Sequence, residues 1–184
     1  MSAKYTIALV GMPGSGKSQA AAFFQNKNIP IIRFGDLTDE TMKKKGLPPT
    51  PGNERIVREQ LRKESGMAAY AIAAMPKIEK ALKTNPIVVV DGLYSWEEYT
   101  FLKKNLSNLL LLHIFASPED RYDRLAIRKI RPLNPQEANQ RDILEIESLN
   151  KAGPIAMANY VIINESTPHN LHKKLEEFLS EIQI

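Results

Sequence analysis

The chain has no cysteine, which excludes disulfides, thiolate metal sites and thiol nucleophiles. Histidine is nearly as scarce. Of His113, His169 and His172 only the last two are close in sequence, and a solvated turn explains their spacing as well as a metal pair does. No apolar run approaches the length of a membrane span. Met1-Ser2-Ala3-Lys4 leads straight into a short apolar segment without the layout of a signal peptide, so a cytoplasmic chain with no membrane partner is expected. No block of like charge exists either: the net charge of +4 comes from basic residues interspersed with acidic ones, and no nucleic-acid partner is expected. Glycine is sparse, nine in 184 residues, yet three of the nine fall within one octapeptide.

What is present begins with short apolar runs at Tyr5 to Val10, Ile29 to Phe34, Ile87 to Val90, Leu109 to Phe115 and Tyr160 to Ile163, with helical patterns between them. That alternation predicts an α/β fold: a five-stranded parallel sheet with helices on both faces, in three layers. The unbroken runs Ile87 to Val90 and Leu109 to Leu112 are read as the central strands. With 43% apolar residues, 184 positions suit one domain, residues 1–184. Within it, residues 36–84 hold more helix than a crossover needs and are read as a helical lobe, and the basic stretch near 129–136 as a short lid.

The octapeptide is Gly11-Met12-Pro13-Gly14-Ser15-Gly16-Lys17-Ser18, which matches the phosphate-binding loop pattern G-x-x-x-x-G-K-[ST] at every position. It follows a predicted strand and precedes the helix-forming run from Gln19, the context that the mechanism requires. Glycines let backbone N–H groups turn inward, and the helix N-terminus adds partial positive charge at the same point. ATP and Mg²⁺ are the expected cofactors. Lys17 is assigned to the β and γ phosphates and the Ser18 hydroxyl to Mg²⁺. Asp91, ending a predicted strand, is assigned as a second Mg²⁺ ligand. It can alternatively cap the loop before the helix from Trp96.

The chain also resembles the nucleoside monophosphate kinases in the broad sense, including adenylate kinase and dephospho-CoA kinase. The likeness rests on Val10 to Ser18, Ile32-Arg33-Phe34-Gly35-Asp36-Leu37, Val90-Asp91-Gly92, Ala116 to Arg121, Arg124-Leu125, Arg141-Asp142 and Ala158 to Glu165. It is nearest to the small adenylate-kinase-related, dephospho-CoA-kinase-like proteins. This resemblance implies transfer of the γ-phosphate of Mg·ATP to a nucleotide-like small molecule by a monomer or homodimer. Phosphoryl transfer is chiefly positioning and cationic clamping, so arginines must converge on the phosphates. Arg128, Arg131 and Arg141 are the candidates, with Arg124 a fourth; Arg121 is read as a surface partner of neighbouring carboxylates.

The loop containing Asn164 resembles the one beside the base, and Gln19 joins Gly11 to Ser18 on the cofactor side. For the acceptor, Arg33 and Asp36 bracket a glycine at a strand end, although Asp36 suits a helix N-cap equally. Arg58 and Arg62, four apart, form either a cationic stripe for the acceptor or a solvated helix face. Tyr94 and Trp96 are read as either stacking or ordinary packing. Arg33-Phe34 replaces the threonine that usually precedes Gly-Asp in adenylate kinases, which leaves the acceptor undefined, and a dephospho-CoA-like hydroxyl acceptor stays open. Two other classes are a GTP-binding switch, whose Asn-Lys-x-Asp segment is absent, and a noncatalytic ATP sensor.

Overall fold

The computed structural model describes residues 4–182; Met1 to Ala3, on which part of the signal-peptide reading rests, lie outside the described residues. Five strands form one parallel sheet: β1 (Tyr5–Val10), β2 (Ile31–Arg33), β3 (Ile87–Asp91), β4 (Leu109–Phe115) and β5 (Tyr160–Ile163), in the order β2-β3-β1-β4-β5. The expected fold class is therefore the observed one. β3 and β4, the two runs read as central strands, are interior, and β1 lies between them at the middle of the sheet. The polar Thr6 interrupts the apolar run of β1, but it is buried with Ile7 and Ala8 beyond it.

Because side chains alternate across a strand, each strand feeds two cores. On one face Ala8, Val10, Val90 and Leu111 pack with α4 (Ala69–Thr84) and α5 (Trp96–Asn105). On the other, Ile7, Leu9, Val89, Leu112 and Ile114 meet α1 (Lys17–Asn26) and α9 (Pro168–Glu181) through Phe23, Phe24, Leu171 and Phe178. The predicted extra helices are α2 (Gly35–Lys44), α3 (Pro51–Ser65) and α4. Ala71, Ala74 and Ile78 tie α4 into the sheet's core, while α3 buries only Val57.

Two helices bracket the basic stretch. α6 (Pro118–Ile127) starts at a Ser117 cap followed by proline, as the sequence indicates. It ends at Ile127, where Arg128 turns extended. α7 (Pro135–Leu149) opens with a reciprocal capping box between Asn134 and Glu137. The short α8 (Ala152–Ala156) follows, and Trp96 packs against its Gly153 and against Tyr99 instead of facing a ligand.

Candidate active site

The glycine-rich loop joins the end of β1 to α1 at the carboxyl edge of the sheet, the usual ligand edge of such folds. Gly11 has φ +144°, and a Cβ there would lie 2.4 Å from the Ile114 carbonyl oxygen; Gly14 has φ +82° and would place one 2.6 Å from that of Arg121. Only glycine satisfies both conditions. The loop is held from outside: Asn164 Nδ2 donates to the Ser15 carbonyl at 2.9 Å, and Arg121 Nη1 to the Pro13 carbonyl at 3.1 Å.

Lys17 Nζ donates to the Gly11 and Met12 carbonyls at 2.8 and 3.0 Å. Burial, then the neighbouring Lys151, lowers its pKa to about 7. The Ser15 hydroxyl is buried without a partner.

A cavity of about 450 Å³ opens over this loop, lined by Gly14, Gly16, Lys17, Ser18, Gln19 and Asn164 and by Arg124 and Arg128 from the α6 side. Arg124 Nη2 donates to the Asn164 carbonyl at 2.8 Å, while its Nη1 is buried with no partner. That orphaned guanidinium nitrogen beside Lys17 and Ser18 fits the residues to a polyphosphate. Among the described residues no cluster of three or more carboxylate or imidazole ligands exists. A cation here would depend on Ser18, Asp91 and the phosphates together, as Mg²⁺ commonly does.

A second cavity, about 470 Å³, lies on the other side of the β3 end. Arg33, Arg58, Arg62, Arg131 and Arg141 line it, with Asp91 and Tyr94. Asp91 stands in register between Leu9 of β1 and Arg33 of β2. Burial raises its carboxyl pKa, against the pull of Lys17 and Arg33. Arg131 and Glu54 of α3 form a two-pronged pair, and Arg128 Nε donates to the Arg131 carbonyl. The residues 128–134 between α6 and α7 thus reach both cavities, Arg128 at the first and Arg131 at the second.

Asp36 departs from both of its readings. Phe34 occupies the N-cap position of α2, so Asp36 falls in the first turn, pairs with Arg33 at 3.2 Å and is not among the residues lining either cavity. Arg121 is also corrected. It is buried and forms a two-pronged pair with Asp142 at 3.1 and 2.7 Å, which places it behind the phosphate loop and not among surface carboxylates. His113 packs edge-on against Phe115, and His172 lies over Phe23.

Sequence reasoning missed the charges behind the second cavity. Lys151, buried at the α7–α8 junction, pairs with Glu145 and lies 4.5 Å from the centre of the Tyr94 ring. Glu145 also takes Arg141 Nε at 3.0 Å. Burial pushes the Glu145 carboxyl up, but Lys151 and Arg141 together hold it below the usual carboxylate range. Glu98, fully buried under Tyr94, accepts from the Tyr94 and Ser95 N–H groups, and burial pushes its pKa up to about 7. Of these only Glu98 carries a local signal that could have found it, the Ser95-x-x-Glu98 capping pattern.

Residues 7–145 match the AAA domain family. The UPF0200 protein PH1008 of Pyrococcus horikoshii is 35% identical over 181 residues, covering 96% of each chain. The chain belongs to the UPF0200 family. Its fold is similar to that of TT1252 from Thermus thermophilus (TM-score 0.70, 18% identity, 99% of this chain and 100% of that one). It is also similar to that of shikimate kinase from Bacteroides thetaiotaomicron (TM-score 0.59, 17% identity, 96% and 98%). The resemblance to adenylate and dephospho-CoA kinases thus reduces to a broader one, a UPF0200 chain with a P-loop fold of the small-molecule kinase type. No described helix is long and apolar enough to cross a membrane.

Proposed function

We propose that this UPF0200 chain is a Mg·ATP-dependent phosphotransferase whose acceptor is an anionic, nucleotide-like small molecule. The observation that carries this reading is the pair of cavities flanking Lys17 and Asp91: one lies over the phosphate loop, the other is lined by five arginines. Lys17 and Asp91 feel each other's charge across the boundary. Solved kinases with this fold, shikimate kinase among them, support the reading by analogy.

In this scheme the first cavity takes ATP. Backbone N–H groups of Gly14 to Ser18 and the ammonium of Lys17 hold its phosphates, while Arg124 and Arg128 cover them from α6. Ser18 and Asp91 hold Mg²⁺, which when bound neutralises phosphate charge as it shifts toward the leaving oxygen. Arg131 and Arg141 fix the acceptor in line; Arg33, Arg58, Arg62 and Tyr94 bind its remainder. An acceptor oxygen bonds to the γ-phosphorus as the bond from that phosphorus to the ADP oxygen breaks. A phosphate acceptor is already ionised. In the second, dephospho-CoA-kinase-like reading the acceptor is a hydroxyl, and Asp91, which lines the second cavity, takes its proton in place of holding Mg²⁺, leaving the ion to Ser18 and the phosphates.

The test is transfer of labelled γ-phosphate to a panel of nucleoside monophosphates, nucleosides and dephospho-CoA, with hydrolysis followed in parallel. One acceptor labelled well above hydrolysis, and loss of labelling in a folded Lys17→Ala chain, are the expected results. ATP binding without labelling of any acceptor would instead favour a sensor or a partner-dependent ATPase.

A further inference from the structure

The arginine-lined cavity does not end at its arginines. A further cavity of about 400 Å³ lies between α3 and α7 and shares Arg58, Arg62, Tyr94, Arg131 and Arg141 with it. Beyond that shared floor its walls are Arg55 and Glu59 on α3 and Leu144, Glu145, Ser148 and Leu149 on α7, Glu145 being already held by Arg141 and Lys151.

The floor carries more positive charge than its own carboxylates offset. Arg58 and Arg131 both turn to Glu54, and Arg141 shares Glu145 with the buried Lys151. Arg62 makes no ion pair among the described residues. Its guanidinium lies 5.4 Å over the Tyr70 ring, and its Nε is buried with no hydrogen-bond partner. An unpaired buried guanidinium nitrogen is unfavourable in the free chain, and a phosphate-type anion satisfies it best. The far wall has a different character: Leu144 is an apolar side chain left 60% exposed, and Arg55 is already paired with Glu59 at 2.8 Å. A compact acceptor fills the arginine-lined cavity alone and leaves this wall to water.

We infer that the acceptor is an extended molecule with a phosphate-type anion in its middle. The anion rests on Arg58, Arg62 and Arg141, the reacting end reaches Asp91 through the arginine-lined cavity, and a less polar tail lies between α3 and α7 against Leu144. The direction of the reacting end rests on the phosphotransfer reading; the anion and tail positions rest on the two cavities alone.

The test is calorimetric binding with the nucleotide cavity saturated by a non-hydrolysable ATP analogue and Mg²⁺. The probes are AMP, which is compact, and dephospho-CoA, whose pyrophosphate stands between a nucleoside and a long arm. Dephospho-CoA is expected to bind about tenfold or more tightly than AMP. Ser148→Trp, which fills the tail cavity, and Leu144→Asp, which makes its wall anionic, should each collapse that ratio. Both positions are exposed, so the fold tolerates either change. Arg62→Gln should weaken both probes. Equal affinity for the two probes, or a ratio that survives both wall substitutions, overturns the inference. Binding is read without transfer. A chain that discriminates the probes yet labels neither retains this inference and loses the kinase reading, whereas transfer to AMP without discrimination does the reverse.

Discussion

Arg131 donates both terminal guanidinium nitrogens to Glu54, at 3.0 and 2.6 Å, and so ties the segment between α6 and α7 to α3 across the mouth of the arginine-lined cavity. Arg131 holds φ +55°, a left-handed conformation uncommon outside glycine and asparagine, so its backbone is shaped for this reach. Arg131 is half exposed, and solvent screening limits the stabilisation from the pair to about 1 kcal/mol. We expect Glu54→Gln to leave global stability within that margin while raising KM for the acceptor several-fold. The accompanying readout is ATP hydrolysis without acceptor, which should rise as the mouth loosens. Unchanged values of both would show that the tie has no part in closure.

Lys17 binds its proton weakly, with a pKa near 7, because burial and Lys151 oppose its charge. Below pH 7 the lysine is charged in both the folded and the unfolded chain, and the full cost of burying it is present. That cost fades as pH rises from about 7 toward the ordinary 10.5, so this group makes folding more favourable with rising pH across that window. A bound polyphosphate should restore the charge. At pH 8, ATP binding is expected to take up close to one proton, roughly the fraction left unprotonated above a pKa of 7. Calorimetry in buffers of different ionisation enthalpy measures it; zero uptake would mean that the free chain already keeps Lys17 charged.

Glu98 presents the opposite sign. Burial raises its pKa from 4.5 to about 7, so the folded chain binds the proton more tightly than the unfolded one, and folding loses free energy as pH climbs through that interval. A glutamine in its place would keep an acceptor for the Tyr94 and Ser95 N–H groups without the charge. Glu98→Gln should therefore stabilise the chain at pH 8 by roughly 1–3 kcal/mol and do little at pH 4.5. Urea titrations at the two pH values provide the comparison, and an equal effect at both would remove charge burial as the cause.

The buried pair Arg121–Asp142 joins α6 to α7, and the same guanidinium holds the Pro13 carbonyl of the phosphate loop. Arg121→Ala leaves Asp142 charged, buried and without its ion-pair partner, a loss of about 3–5 kcal/mol in chemical denaturation. Asp142→Asn retains one acceptor for Arg121 and should cost less. If both variants unfold at the wild-type midpoint, the pair is not holding the two helices together.

The phosphate loop could be read before any folding was considered, because its chemistry is local: three glycines, a lysine and a serine at fixed spacing, between a strand and a helix. The parallel sheet was legible for a similar reason, since buried strands declare themselves as short apolar runs. Asp91 followed from those two, being the carboxylate at the end of a core strand. The remaining site residues depend on partners distant in sequence. Arg121 looked like a surface residue because its nearest carboxylates are its neighbours, yet it pairs with Asp142, 21 residues on. Lys151 has no motif; only the α7–α8 junction brings it to Glu145 and onto the Tyr94 ring. Asp36 changed role through a shift of two positions in where α2 begins. Local pattern alone was enough to set the sheet, the nucleotide loop and the supply of arginines. Which arginines face a cavity, which are already neutralised by a carboxylate, and that two cavities share one cationic floor are matters of tertiary packing, because charge pairing and burial depend on distances between helices that local spacing does not encode.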